Sequence, residues 1–485
     1  RWMAEKGCSD GLDGLDWPKV DMGMLSDGDI QKMEAVFARF FLEHTKMELA
    51  QEALNRRFML LEVASPEDIV RSEQLSSRDY WAEVEHPELG RKFLYPGAPY
   101  KITPLPWRIS RRAPLIGEHT GEVLQELATR LSTRPLAASG IPAAGPTGER
   151  VAPLTGIKIL DFMWGGAGPF ATCELACYGA QVVRIESRAA IDMTRTTGPF
   201  KDGKPGENRA THVPLHHASK YSVDLNLKTA SGREVTRKLV SWCDVVTENF
   251  GVGAMKRLGF SYDDLKHIKE DIIMVSSCMF GQTGPRAPFV GMGWHLSGPA
   301  GFYYLTGWPD RGPVPPHNAI TDNIAPWYTA TAVLAAVDYH RRTGRGLYID
   351  QSQLEASLSF LSTALLDYTV NGNVQGRRGN TSERATPHGV YPCAGDDRWC
   401  AITVYTDEEW RSLCQVVGSP LLTTDQRFST LEERNRHRGE LDSMVAAWTA
   451  RHAAEDVMNT LQAAGVPAGV VQNAEDMLDK DPQLR

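Results

Sequence analysis

Residues 156–186 read GIKILDFMWGGAGPFATCELACYGAQVVRIE, and this stretch decides the fold of the chain. The pattern predicts four consecutive elements: a buried strand at 156–162, a glycine-rich turn at 165–169, a helix at 170–178 and a second strand at 180–185. Strand, helix and strand at this spacing indicate a parallel βαβ unit. The sequence therefore predicts an α/β fold built on a doubly wound parallel sheet.

The glycine-rich turn also fits a dinucleotide-binding pattern. Gly166 to Ala171 matches GxGxxA after a strand, and Glu186 stands at the end of the next strand. Pro169, however, removes a backbone donor that a phosphate would use. We therefore expect a Rossmann-like large domain that does not bind NAD. Further strand candidates at 245–246 and 272–276, each after a helical pattern, extend the same sheet.

Composition excludes several function classes. The chain has 485 residues, of which 42% are hydrophobic and 23% charged, so two or three ordinary globular domains are expected. The net charge is -8, whereas a nucleic-acid-binding protein usually carries an excess of basic residues. No apolar run reaches the ~20 residues of a membrane span. Eight cysteines without a CxxC pair indicate reduced thiols in a cytoplasmic protein and no metal site.

The composition of the chain changes at residues 131–153, which are rich in Pro, Gly, Ala and Ser and are predicted to form a linker. A weak internal repeat spans this linker. EDIVRSEQLSSR ends at Arg78 and EDMLDKDPQLR ends at Arg485, with a helical pattern upstream of each. The repeat predicts that the first part of the chain is related to its end.

One carboxylate stands out in the stretch from Gly312 to Asp350. Here a Pro-rich loop runs into Asp322, and an apolar helical pattern then continues to the turn at Gly344. Asp is a common helix N-cap, so capping is the first interpretation of Asp322. A nucleophilic carboxylate is the alternative.

Five blocks of sequence resemble the class III CoA-transferases, the family of formyl-CoA and carnitine CoA-transferases. They are the opening stretch at 156–186, SKYSVDLNLKTASGREV (219–235), CDVVTENFGVGAMKRLGFSYDDL (243–265), MFGQTGP (279–285) and TDNIAPWYTATAVLAAVDYHRRTGRG (321–346). The resemblance implies an interlocked architecture in which a smaller α+β domain accompanies the large one. The first 127 residues resemble the family's C-terminal region, through VEHPELG and RRAPLIGEHTGEVL.

The resemblance therefore implies a tandem arrangement. Residues 1–130 correspond to the C-terminal part of a first family copy, and residues 154–485 to a second copy that lacks its own C-terminal end. Two such copies imply a homodimer or an intrachain pseudo-dimer. A non-catalytic scaffold half of a tandem transferase is the alternative from another class.

The resemblance makes Asp322 the nucleophile. It implies that CoA moves from an acyl-CoA donor to a small carboxylate acceptor through an aspartyl-CoA thioester, with CoA as co-substrate and no permanent cofactor or metal. Positions matching the family's CoA contacts are Ala167, Arg188, Arg195, Leu225, Lys228, Asn249 and Arg257. An exposed surface role is the alternative for the basic ones.

Two departures bear on the reaction. Several transferases carry a glutamine where this chain has Gly166. The proton-transferring histidine of the related α-methylacyl-CoA racemases falls at Met292, which disfavours racemisation, and His295 is expected to be packed or hydrogen-bonded.

Aromatic residues near Asp322 suggest an acceptor. Trp164 follows the first predicted strand, Trp294 precedes the Asp322 loop, and Trp327 and Tyr328 follow it. Aromatic faces recognise onium cations, although packing in the core is the alternative role for these residues. An onium carboxylate such as dimethylsulfoniopropionate, with later elimination of dimethyl sulfide, is then an expected substrate. A tandem chain with this substrate is similar to the dimethylsulfoniopropionate CoA-transferase/lyases.

Overall fold

The computed structural model describes residues 1–17, 20, 25–105, 107–133, 152–316 and 318–484. Most of the predicted linker, and Arg485 of the predicted repeat, lie outside these ranges. The chain forms two compact units. The larger comprises Arg1–Tyr304 and Pro315–Gln375, and the smaller comprises Leu305–Val314 and Gly376–Arg485.

The N-terminal part of the larger unit is mainly helical. Its elements are α1 (Trp2–Glu5), α2 (Asp27–Leu42), α3 (Lys46–Arg56), α4 (Pro66–Val70), α5 (Glu73–Ser77) and an antiparallel hairpin of β1 (Ala82–His86) and β2 (Arg91–Tyr95). Thr45 and Ser65 cap α3 and α4 through capping boxes, so polar side chains satisfy the first amides of both helices.

A seven-stranded sheet forms the centre of the larger unit. Its strands are β3 (Tyr100–Thr103), β4 (Lys158–Asp161), β5 (Gln181–Glu186), β6 (Tyr221–Asp224), β7 (Val245–Glu248), β8 (Ile273–Cys278) and β9 (Tyr348–Ser352). They lie in the order β3-β9-β8-β7-β4-β5-β6, and all pairs are parallel except β3 with β9. The predicted α/β fold with a doubly wound parallel sheet is confirmed.

Helices cover this sheet on both faces. The α-helices between the hairpin and Asn371 are α6 (Thr120–Thr133), α7 (Ala167–Cys177), α8 (Met193–Thr196), α9 (His212–His217), α10 (Ala230–Trp242), α11 (Ala254–Leu258), α12 (Tyr262–Ile268), α13 (Gly293–Ser297), α14 (Phe302–Leu305), α15 (Ile320–Thr343), α16 (Gln353–Leu358) and α17 (Ser362–Asn371). α15 packs against α7 and ends at Gly344, whose φ of 69° closes the helix.

Alternation along the strands explains the two covered faces. On β4, Ile159 belongs to the core that α15 covers with Ala332 and Ala336. The next residue, Leu160, belongs to the opposite core together with Val240 of α10. Both strand residues are fully buried, as expected for a parallel sheet that is covered on both sides.

The segment before the linker is part of the larger unit. β3 pairs antiparallel with β9 at the edge of the sheet. Buried Arg78 forms ion pairs with Asp350 at 2.7 Å and with Glu355 at 2.5 Å. Gln74 Nε2 donates to the carbonyl of Phe280 at 2.8 Å. Residues on both sides of the linker therefore share one hydrophobic core, while their origin in two family copies stays a prediction.

The smaller unit is α+β. An antiparallel sheet in the order β10-β11-β12 is formed by β10 (His388–Pro392), β11 (Trp399–Thr403) and β12 (Ala468–Val470). Four helices accompany it: α18 (Asp407–Val416), α19 (Leu431–Arg436), α20 (Arg438–Thr449) and α21 (Ala454–Ala463). Ile402 of the sheet packs in one core with Trp410, Val445 and Leu461 of the helices. In the described part of the chain, no helix is long and apolar enough to cross a membrane.

Candidate active site

Asp322 lies inside the first turn of α15. The helix begins at Ile320, its N-cap is Ala319, and no side chain caps it. The backbone N–H of Asp322 itself donates to the carbonyl of Ala319 at 2.8 Å. The interpretation of Asp322 as the N-cap is therefore wrong, because the chain enters the helix before this residue and its carboxylate is left for other partners.

Two donors from other parts of the unit hold that carboxylate. The backbone N–H of Gly293, the first residue of α13, donates to Oδ2 at 3.1 Å. The side-chain Nε2 of Gln353, the first residue of α16, donates to Oδ1 at 2.5 Å. Each carboxylate oxygen thus has its own donor, and the orientation of the carboxylate is fixed.

Glycines form the surface that faces this carboxylate. A Cβ at Gly293 would lie 2.5 Å from Asp322 Cγ, and one at Gly166 would lie 3.8 Å from Oδ2. The hydroxyls of Thr321 and Ser297 donate to the carbonyl of Gly293 at 3.0 and 2.8 Å and fix its position. The two glycines therefore act differently: Gly293 lets its backbone approach the carboxylate closely, while the missing side chain of Gly166 leaves space beside Oδ2.

Replacement of Gly293 by alanine is expected to lower kcat for CoA transfer about 100-fold or more, because the added methyl group must displace the Asp322 carboxylate. Steady-state kinetics with an acyl-CoA donor measures this. Gly121→Ala is the matched control, since a Cβ at that helical glycine meets nothing within 4 Å. A Gly293→Ala enzyme with the activity of the control would contradict the geometry.

Burial raises the pKa of Asp322, and the hydrogen bonds from Gln353 and Gly293 oppose this by stabilising the charged form. A carboxylate attacks only when ionised. We therefore expect kcat/KM to fall, as pH falls, through a pKa above the ordinary aspartate value of 3.8. The pH profile measures this. The control is Asp338→Asn, on the exposed side of α15, whose pH profile should match that of the unmodified enzyme. A fall in kcat/KM only at or below the ordinary aspartate pKa would contradict the prediction.

Polar side chains fix the glycine-rich turn. Asn249 accepts from the backbone N–H of Trp164 at 2.8 Å and donates to its carbonyl at 2.7 Å. Asp192 accepts from the N–H of Gly165 at 3.2 Å. The turn that carries Gly166 is therefore held in place from two sides.

A buried lysine anchors the other end of this turn. Lys220 Nζ donates to Asp161 Oδ2 at 3.0 Å, to the carbonyl of Pro169 at 2.8 Å and to Thr172 Oγ1 at 2.7 Å. Asp161 also accepts from the N–H of Met163 at 3.0 Å. Sequence reasoning missed these anchors, although an acidic residue at the end of an apolar strand was a signal for Asp161.

The predicted CoA-binding residues lie in different surroundings. Ala167 opens α7, Asn249 ties the turn, and Leu225 is half-buried, donating its backbone N–H to the carbonyl of Glu186 at 2.8 Å. Three basic positions are exposed: Arg188, Lys228 and Arg257. Exposure is consistent with either a CoA contact or the surface role, so the assignment of these positions stays a prediction.

Arg195 is engaged inside the protein. Its guanidinium donates to both carboxylate oxygens of Glu186 at 2.7 Å and to Asn208 Oδ1 at 2.7 Å. Ser222 also donates to Glu186. Glu186, the acidic residue of the dinucleotide-like pattern, thus already accepts hydrogen bonds from protein side chains. A CoA contact of Arg195 stays a prediction. It would involve only the part of the guanidinium that Glu186 does not occupy.

The four aromatic candidates do not form one cluster. Trp327 is half-exposed with its ring centroid 5.5 Å from that of Phe170, and the Trp164 ring lies 6.1 Å from Phe250. Tyr328 packs at the edge of a hydrophobic core. Trp294 is exposed and directly follows Gly293. Within the described ranges, no ring contact joins any two of these four.

His295 is hydrogen-bonded, as expected. The backbone N–H of Met292 donates to its Nδ1 at 3.2 Å, and burial lowers the pKa of the imidazole. The ring is thereby used to shape the start of α13, next to the Gly293 amide that holds Asp322.

Comparison with known proteins places these features in a family. The model of CoA-transferase family III matches residues 18–120 and 154–485. The chain is 32% identical to succinyl-CoA–D-citramalate CoA-transferase of Chloroflexus aurantiacus, over 68% of this chain and 81% of that protein. It is also 32% identical to succinate–glutarate CoA-transferase of Agrobacterium fabrum, over 70% of this chain and 84% of that protein.

Solved structures agree with these relatives. A CaiB/BaiF family protein from Brucella suis has a TM-score of 0.64 and 30% identity, covering 69% of this chain and 88% of that one. The two segments matched by the family model contain the strands of the central sheet, the glycine-rich turn and the helix that carries Asp322. The chain belongs to CoA-transferase family III.

Proposed function

We propose that this chain transfers CoA from an acyl-CoA donor to a small carboxylic acid, with Asp322 as the nucleophile. The observation that carries the proposal is the Asp322 carboxylate itself. It is held by one donor on each oxygen, and the missing side chain of Gly166 leaves space beside Oδ2 for a thioester carbonyl. Membership of a transferase family supports the same reaction.

The proposed reaction proceeds through acyl transfers at one carboxyl group. An Asp322 oxygen attacks the donor thioester, the carbon–sulfur bond breaks, and CoA thiolate and a mixed anhydride result. The thiolate attacks Asp322 Cγ and expels the donor acid, which gives the aspartyl-CoA thioester. The acceptor carboxylate attacks Cγ and expels the thiolate, forming a second anhydride. The thiolate finally attacks the acceptor's carbonyl and releases the new acyl-CoA and the free Asp322 carboxylate.

Two acceptor classes are open to a direct test. The named relatives act on small di-acids such as glutarate and D-citramalate, which favours a di-acid. An onium carboxylate, with dimethyl sulfide elimination, has support from the exposed Trp294 beside Gly293. Assays with succinyl-CoA or acetyl-CoA and each acid, scored for the new thioester and for dimethyl sulfide, separate the two classes.

The tandem arrangement remains part of this proposal. The family model matches two segments that flank the linker. The chain is 32% identical to the probable CoA-transferase Rv1866 of Mycobacterium tuberculosis, over 68% of this chain but only 42% of that longer protein. Both observations support a second family copy. Light scattering of the purified chain tests whether that copy is supplied by a homodimer.

Trapping of the covalent intermediate tests the proposed function. The protein is exposed to acyl-CoA, reduced with borohydride and digested, and we expect homoserine at position 322 by mass spectrometry. An unmodified Asp322 would overturn the proposal and favour a non-catalytic scaffold. Exchange of the acyl α-proton in deuterated water, without any transfer, would favour an isomerase.

A further inference from the structure

The Gln353 carboxamide has the contacts expected of a catalytic group. Its side chain is buried, with 7% of the residue exposed, and its Nε2 lies 2.5 Å from Asp322 Oδ1. The backbone of Gln353 is fixed as well, because Ser352 caps α16 and the Ser357 hydroxyl donates to the Gln353 carbonyl at 2.7 Å. A buried amide on a rigid helix start is preorganised rather than recruited during the reaction.

The two oxygens of Asp322 have unequal surroundings. Oδ2 receives a backbone amide and faces the space left by the missing side chain of Gly166, whose Cβ position is 3.8 Å away and has no nearer atom. Oδ1 receives the Gln353 amide. Gly166 has no side chain that could donate from the turn. The oxygen that attacks a substrate must face the open side, which leaves Oδ1 as the oxygen that stays double-bonded to Cγ.

We propose that Gln353 is the oxyanion donor for the tetrahedral intermediates formed at Asp322 Cγ, with Oδ2 as the attacking oxygen. The proposal rests on the proposed function. When CoA thiolate attacks Cγ of the anhydride, the electron pair of the C=O bond moves onto Oδ1. Collapse of that intermediate re-forms the C=O bond and breaks the Cγ–Oδ2 bond, so Oδ2 leaves with the donor acid. The acceptor carboxylate later attacks the same carbon and expels the thiolate.

Gln353 therefore stabilises negative charge at the same atom in both steps. Because Nε2 already lies within hydrogen-bond distance of Oδ1 in the resting carboxylate, the donor needs no movement to meet the oxyanion. The steps at the substrates' own carbonyl carbons place their oxyanions elsewhere. The contribution of Gln353 is thus confined to the formation and breakdown of the aspartyl-CoA thioester.

The test compares Gln353→Met, which keeps the length of the side chain and removes its donor, with the unmodified enzyme. We expect kcat and the rapid-quench rate of borohydride-reducible thioester formation at Asp322 to fall by about 10²- to 10³-fold, with KM for acyl-CoA changed less than about threefold. A Gln353→Met enzyme that forms the thioester at the unmodified rate would overturn the proposal. A loss seen only in KM would overturn it too.

A second variant distinguishes the loss of the hydrogen-bond donor from a general disturbance of the structure. Gln353→Glu places a carboxyl group beside Asp322, and such a pair shares one proton because two close like charges disfavour ionisation. The singly protonated pair restores an O–H donor. We expect Gln353→Glu to be active at low pH and to lose activity as pH rises through the pair's upper pKa, where the unmodified enzyme stays active. No pH-dependent recovery, or a pH profile like that of the unmodified enzyme, would contradict the role.

The two proposals fail in different ways. If unmodified enzyme yields no trapped Asp322, the transfer through Asp322 is wrong. If it yields trapped Asp322 and Gln353→Met yields the adduct equally fast, only the role of Gln353 is wrong.

Discussion

Asp322→Asn is expected to lower kcat for CoA transfer by on the order of 10⁴-fold or more, because an amide oxygen is a poor nucleophile and does not form the anhydride with the acyl group. The change keeps the side chain's shape: the Gly293 amide can still donate to the asparagine oxygen, and Gln353 can turn its carboxamide so that its oxygen accepts from the new NH2 group. Transfer between acyl-CoA and acid, followed by chromatography of the thioesters, measures the loss.

Its matched control is Asp338→Asn on the same helix. Asp338 is exposed and its carboxylate contacts only Arg342 at 2.7 Å among the ion pairs of the described residues. This substitution should leave kcat within about twofold of the unmodified enzyme, since exposed ion pairs of this kind contribute little. Equal losses in both variants would show that helix integrity, rather than the nucleophile, had been measured.

Arg78→Ala is expected to destabilise the larger unit by about 3–5 kcal/mol, because it leaves two buried carboxylates without their cation. The Arg78 side chain is fully buried between Asp350 and Glu355. Burial raises the pKa of Glu355, and Arg78 opposes that shift. Without the arginine, the folded-state pKa rises further above the unfolded one, so the destabilisation should be largest at high pH and shrink as pH falls.

Urea unfolding of Arg78→Ala at neutral and acidic pH measures both effects. Arg71→Ala is the control from the same segment, since its side chain is 72% exposed and pairs only with neighbouring Glu67 among the ion pairs described. A change below about 0.5 kcal/mol is expected there. A small change at Arg78 as well would mean that the segment before the linker is held by its other contacts, among them the Gln74 hydrogen bonds, the apolar core and β3.

Local pattern was sufficient for four of the seven strands of the central sheet. β4, β5, β7 and β8 fall within about two residues of the predicted strands, since each is an apolar run bounded by turn residues. β3, β6 and β9 were not predicted. YKIT at 100–103 carries no strand signal of its own and becomes a strand because β9 offers an unpaired edge. Such tertiary pairing is invisible to any single window of sequence.

The candidate site likewise combines residues that the sequence could predict with residues that only the folded structure brings together. Asp322 was predicted as the nucleophile through its family-like neighbourhood, while its local interpretation as a cap was wrong. Gln353 stands 31 residues away in sequence and was missed, because nothing around it distinguishes a buried donor from a helix-start residue. Its position is set by β9, which delivers α16 to the carboxylate only in the folded sheet.

The edge strand β3 has a practical consequence for work on the catalytic segment. Residues 154–485 contain Asp322 and Gln353 and resemble a module that could be cut free. Expressed alone, that fragment would present the bare edge of β9, a row of unpaired amides and carbonyls of the kind that pairs with neighbouring molecules. Asp350 and Glu355 would also lose Arg78. The smallest useful fragment of this enzyme therefore includes the residues that precede its linker.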